Sequence, residues 1–143
     1  MTFDVPGESP LVSGTVGFWM RFPDARAARS PAIELIDLSG PSATSNRLTV
    51  AAITSPQDGA SSGLLQVQAV AGPQTPPDSR VVTRTKPVPW EAGRWRHVAL
   101  AWQGLDGRGE GIVRVFLDGA EIERLTGVAL DLREGPHLCT IGR

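Results

Sequence analysis

The sequence predicts an all-β domain, a sandwich or a barrel, and three observations predict it. Short runs in which apolar and polar residues alternate follow one another along the chain. Asp-Gly pairs, which suit tight turns, stand at Asp58-Gly59, Asp106-Gly107 and Asp118-Gly119. No segment carries convincing helical periodicity. The one helical candidate, residues 24–29, is short and is cut off before Pro31.

Taken in order, residues 15–22 place Val16, Phe18, Met20 and Phe22 on one strand face and Trp19 on the other. Residues 33–38 form the second run. Residues 47–53 form the third, with Leu48, Val50 and Ala52 in phase. Residues 64–71 are the fourth, using Leu65, Val67 and Ala69, and residues 80–84 the fifth. Pro73, Pro76 and Pro77 rule out a strand between these two. Residues 94–102 are the sixth run. Residues 112–118 are the seventh, with Val113, Val115 and Leu117 inward. Residues 121–125 and 138–141 complete the set. Residues 39–45 and 55–62 read as polar loops.

Composition bounds the function. The 143 residues suffice for one domain with a sizeable core, and the chain is read as a single domain over residues 1–143. A net charge of −1 gives no general pull toward nucleic acid or an anionic membrane. The arginines are scattered, which also argues against a nucleic-acid partner. The single cysteine, Cys139, excludes an intrachain disulfide. No apolar run approaches the ~20 residues of a membrane helix, so no membrane insertion is expected. The first residues carry neither a basic segment nor a hydrophobic signal region.

Four segments carry a resemblance. Trp95-Arg96-His97-Val98-Ala99-Leu100-Ala101-Trp102, introduced by Trp90-Glu91-Ala92-Gly93-Arg94, is followed by Val113-Arg114-Val115-Phe116-Leu117-Asp118-Gly119. Gly14-Thr15-Val16-Gly17-Phe18-Trp19-Met20-Arg21 precedes them and Thr140-Ile141-Gly142 follows. Their order and spacing resemble the laminin-G-like, concanavalin A-like family of lectin and glucanase domains. The resemblance implies a two-sheet antiparallel jelly-roll β-sandwich and an extracellular or surface-exposed setting. In the family, a further segment follows the Ile-Gly strand and pairs beside the N-terminal strand. Here the chain stops at Arg143, and only Phe3 and Val5 offer themselves to a first strand. The resemblance therefore implies an unpaired edge, which is either covered by a neighbouring subunit, a rearranged tail or sequence outside this chain, or belongs to a shorter family variant with a charged edge.

Candidate site residues are few. Glycosidic hydrolysis needs two carboxylates flanking the bond. Glu34-Leu35-Ile36-Asp37 has the wrong spacing for the family's glucanase pattern and lacks its third acid. Glu121-Ile122-Glu123 puts two carboxylates on one strand face beside a hairpin turn. Both pairs read as solvated strand surface. Family members often bind calcium through loop oxygens. The groups on offer here are Asp37, Asn46, Asp58, Asp78 and Asp106, with Asp37 and Asn46 the first pair to test. His97 reads as a satisfied structural histidine and Cys139 as a small core residue. Trp19, Trp95 and Trp102 read as core packing. Phe3, Phe22, Trp90 and Phe116 are then the aromatics available for stacking.

The resulting expectation is a non-catalytic binding module that recognises glycan or protein through the loops at one sandwich end. Asp37, Asn46, Asp58 and Trp90 are the candidate ligand residues. The alternative is a structural or assembly subunit, of virion-surface, decoration or adhesin type, that oligomerises through an open sheet edge.

Overall fold

The computed structural model describes residues 2–5, 11–21, 32–40, 46–54, 62–89, 91, 93–133 and 137–141. The predicted helix at residues 24–29, the Asp58-Gly59 turn, Phe22 and Trp90 lie outside them. Among these described residues ten strands are formed: β1 (Thr2–Val5), β2 (Gly14–Arg21), β3 (Ala32–Ser39), β4 (Arg47–Thr54), β5 (Ser62–Val70), β6 (Val81–Pro89), β7 (Trp95–Gln103), β8 (Gly111–Leu117), β9 (Ala120–Val128) and β10 (His137–Ile141). A single helical turn, α1 (Pro77–Arg80), precedes β6. Pro at its start and Arg80, which donates to the carbonyls of Pro73 and Thr75, account for this turn in a proline-rich segment.

The strands make two antiparallel sheets. One has the order β1-β10-β3-β4-β5-β6, the other β2-β7-β8-β9. All pairings are antiparallel. The alternation read in sequence is the alternation of burial. Leu48, Val50 and Ala52 of β4 and Leu65, Val67 and Ala69 of β5 face inward. They meet Val98 and Leu100 of β7 and Val113, Val115 and Leu117 of β8 in one core. Val16, Phe18 and Met20 pack against it from β2.

β6 is longer than its sequence signal because it is an edge strand. Pro87 and Pro89 cannot donate to a ladder, and an edge strand tolerates that on its unpaired side. β1 exists because β10 lies beside it, with Thr2 opposite Thr140 and Val5 opposite His137. The sheet margins among the described residues are thus β1, β6, β2 and β9.

The hairpin between β8 and β9 has two residues in its loop. Asp118 (φ 52°) and Gly119 (φ 84°) both adopt the left-handed conformation of a type I′ turn.

Candidate functional site

Two β-bulges decide where the acidic pairs point. In a regular strand Glu34 and Asp37, three apart, would face opposite ways. The register of β3 against β4 shifts between Glu34 and Ile36. Leu35 is the extra residue, so Glu34 opposite Ala51 and Asp37 opposite Thr49 share the outer face. Arg47 bridges them. Its Nε and Nη2 donate to the two oxygens of Asp37 at 3.0 and 2.9 Å, and Nη2 also reaches Glu34 at 2.9 Å. Asp37 is 6% exposed. The bond to Asp37 is the main reason the Arg47 guanidinium is held even more firmly protonated than usual.

The second bulge acts in the opposite sense. The register of β8 against β9 shifts between Val115 and Phe116, which sets Glu121 opposite outward Phe116 and Glu123 opposite inward Val115. The expectation that Glu121 and Glu123 share a face is therefore corrected. Arg124 occupies both oxygens of Glu121, and this bond holds the Glu121 carboxyl below the usual range.

Asp37 and Asn46 have separate partners. Asn46 Oδ1 accepts from the backbone N–H groups of Gly72 and Asp131, both at 3.0 Å. Asp106 pairs with Arg108, and Asp78 sits in α1. Among the described residues no cluster of three His, Cys, Asp or Glu side chains is placed to hold a metal ion. Asp58 and Trp90 lie outside the described residues.

Asn46 is one thread in a knot that closes one end of the sandwich. Leu11 donates to Leu132, Leu132 to Leu105, Leu105 to Val12, and Gly107 to Leu130, all through the backbone. The Trp102 indole donates to the Leu11 carbonyl at 2.7 Å. Its ring also lies where a Cβ on Gly14 would sit, 2.5 Å away. The loop backbone at this end is spent on itself.

A polar row crosses the outer face of the six-stranded sheet, and Val81 on the edge strand β6 is an exposed apolar residue there. Register lines up Thr140, Asp37, Thr49, Gln68 and Thr83 across five strands. Gln68 donates to Thr83, and Arg47 holds the acids.

The outer face of the four-stranded sheet is different. Trp102 is buried, but Trp19 is 66% and Trp95 58% exposed. The expected burial of these two indoles is overturned by parity. Val16, Phe18 and Met20 take the inward positions of β2, and Val98, Leu100 and Trp102 those of β7. Trp19 lies opposite His97, and Arg21 opposite Trp95. The Trp19 and His97 rings are 5.3 Å apart and tilted by 51°. Gly17 makes room for them. A Cβ there would meet His97 Nε2 at 3.1 Å and the Ala99 methyl at 3.3 Å. Next along the face stand Phe116, opposite Ala99, and Arg114, opposite Ala101, with the guanidinium 5.9 Å from the Phe116 ring centroid.

Asp118 braces this face from beneath. It accepts from Arg96 Nη1 and from the His97 backbone N–H. The His97 bond first, then Arg96, holds the Asp118 carboxyl below its ordinary value. On the inner side Cys139 is buried, and burial pushes its thiol up, away from nucleophilic use.

No family model matches the sequence, and no curated protein matches it. Among solved structures, the chain is similar to an endo-β-1,4-glucuronan lyase from the fungus Trichoderma reesei. The TM-score is 0.58 at 15% identity, over 90% of this chain and 55% of the lyase. The fold is a concanavalin A-like jelly-roll sandwich. The chain spans about half the length of the lyase. A heptameric SAP-like pentraxin from Limulus polyphemus is similar with a TM-score of 0.42 and 14% identity, over 85% of this chain and 62% of the pentraxin. In this concanavalin A-like sandwich, the aromatic face was missed in the sequence because both tryptophans stand in strands dense with core residues. The usable signal was their phase, since each is out of step with its strand's apolar set.

Proposed function

We propose that the domain is a non-catalytic module that binds glycan on the outer face of the four-stranded sheet, in an extracellular or surface-exposed setting. The observation that carries this reading is the pair of exposed indoles on one sheet face. Burial is what a tryptophan gains most from, so two left in water mark a surface that awaits a partner. A flat indole suits the flat C–H face of a sugar ring, and His97 and Arg21 beside it supply hydrogen-bond donors. The reading moves the ligand from the loops to the sheet because the described loop end is closed upon itself.

Non-catalytic action is supported by the state of the acids. A general acid needs a carboxyl that keeps its proton near neutral pH. Three acids are committed to other partners: Asp118 to Arg96 and the His97 amide, Glu121 to Arg124, and Asp131 to Arg133, and each is held below its ordinary value. The neighbour that acts on β-1,4-glucuronan makes that polymer the first one to assay. Unchanged chain length after prolonged incubation is expected. Cleavage lost on Glu34→Gln or Asp37→Asn would overturn the non-catalytic reading.

Binding is tested by a broad glycan array, with and without calcium, followed by titration of the best ligand. Trp19→Ala and Trp95→Ala are each expected to weaken binding at least tenfold while the fold, read by circular dichroism, is kept. A blank array in both conditions would sink the glycan reading.

One observation favours assembly as a second reading. β2 has a strand on one side only among the described residues, and Trp19 stands on it. An unpaired edge beside an exposed indole suits a second protein strand. Light scattering on a size-exclusion column decides this: a stable oligomer that Trp19→Ala dissociates supports it, and a monomer at all concentrations removes it.

A further inference from the structure

We infer that the ligand of the aromatic face is an anionic oligosaccharide, one that carries carboxylate or sulfate groups. The inference rests on the glycan reading above and adds the charge of the ligand. It follows from how the arginines are used. Arg47, Arg94, Arg96, Arg108, Arg124 and Arg133 each hold an Asp or Glu side chain. Arg80 is spent on backbone carbonyls. Arg84 and Lys86, on the edge strand β6 of the other sheet, have no ion pair among the described residues, and Arg84 donates to the Thr83 carbonyl. Arg21 and Arg114 differ from these in their place. Neither has an ion-pair partner among the described residues, and both belong to the aromatic face.

Their positions are set by register. Arg21 stands opposite Trp95, beside the Trp19–His97 pair. Arg114 stands opposite Ala101, with its guanidinium near the Phe116 ring. Glu121 is the nearest acid to Arg114 in effect, but both its oxygens are taken by Arg124. Between the row of Arg21 and Trp95 and the row of Arg114 lie first Trp19 and His97, then Gly17 and Ala99 beside Phe116, and Thr15 and Ala101 stand in line with Arg114. Along β7 the two arginine rows, at Trp95 and Ala101, are six residues apart, about 20 Å at the usual strand rise. A neutral glycan would stack on the rings and leave both guanidinium groups without a counter-charge. An acidic one would stack and also fill them, and guanidinium is the side chain that best matches a carboxylate or sulfate edge.

The test is calorimetric titration of the intact chain with three probes of similar length: an oligogalacturonate, a sulfated oligosaccharide and a neutral cello-oligosaccharide. At least one acidic probe is expected to bind tenfold or more tighter than the neutral one, and the tighter of the two names the acid group. Raising salt from about 0.05 to 0.5 M should weaken the acidic probe and spare the neutral one. Arg114→Gln should cost the acidic probe threefold or more and leave the neutral probe unchanged, and Arg21→Gln should cost the acidic probe several-fold more than the neutral one. Trp19→Ala should weaken every probe that binds. Equal binding of neutral and acidic probes, or arginine variants without effect on the acidic one, would overturn the anionic ligand and leave the glycan reading standing. If no glycan of any charge binds, the glycan reading falls and takes this inference with it. Thermal unfolding of each variant shows that the fold is intact.

Discussion

Asp118 does two jobs with one carboxylate, and both depend on a backbone conformation that few residues adopt. Its positive φ closes the β8–β9 hairpin, and its side chain then meets Arg96 and the His97 amide on the neighbouring strand. Arg96 is 11% exposed and Asp118 37%, so the guanidinium loses more than the carboxylate if the pair is broken. Asp118→Ala is expected to destabilise the fold by about 2 kcal/mol, measured by urea unfolding. The pH dependence has a defined sign. The folded-state pKa lies below the ordinary 3.8, so the contribution is present above that value and is lost as pH falls through the folded one. Stability should therefore decline below about pH 4. In Asp118→Asn that decline should be shallower, with Asp131 supplying part of what remains. A slope identical to that of the wild type would refute the assignment. Gly17 gives a second expectation at this scale. Gly17→Ala should displace the His97 ring and change tryptophan fluorescence with a small loss of stability, because the contact at 3.1 Å is to a side chain that can move. The Asp-Gly turn was legible from two letters. The link from its carboxylate to Arg96 was not, since no local pattern ties residues 22 apart.

At the scale of elements, the inward pattern of β4, β5 and β8 could be read off because each strand keeps strict period two against one core. The bulges of β3 and β9 could not. One extra residue reverses the facing of everything beyond it, and nothing in Glu34-Leu35-Ile36-Asp37 announces the insertion. Its consequence is measurable. Arg47→Met leaves Asp37, with an 8% exposed side chain, as a buried charge without its cation. It should cost about 3 kcal/mol. The double variant Arg47→Met with Asp37→Leu should regain more than half of that loss, as followed by chemical denaturation. A double variant no better than the single one would mean that Arg47 acts by packing its stem and not by its charge. Asn46 makes a parallel case among the connections. Asn46→Ala strands the N–H groups of Gly72 and Asp131 together and should cost about 2 kcal/mol in the same assay.

Over the whole molecule, the ladder that closes the six-stranded sheet joins the beginning of the chain to its end, β1 to β10. β3 then pairs with β10 across about a hundred residues of intervening chain. Pairings of this range require loop closure before they return any energy, so folding should take longer than about a millisecond. Stopped-flow tryptophan fluorescence reads this directly, and a sub-millisecond phase that completes refolding would contradict it. The sandwich class was legible at this scale because strand count, turn spacing and the absence of helical periodicity all point one way. The partition of strands into six and four was not, since it is fixed by which long-range pairs form.

The pairing of β1 with β10 also sets Thr2 opposite Thr140, two strands abreast and running in opposite directions. Entry to and exit from the described domain are then neighbours, about 5 Å apart from one strand to the next. A domain of this shape can be spliced into a surface turn of a host protein without prising that turn open. Several can hang from a common backbone like pendants, each on a single two-stranded stem.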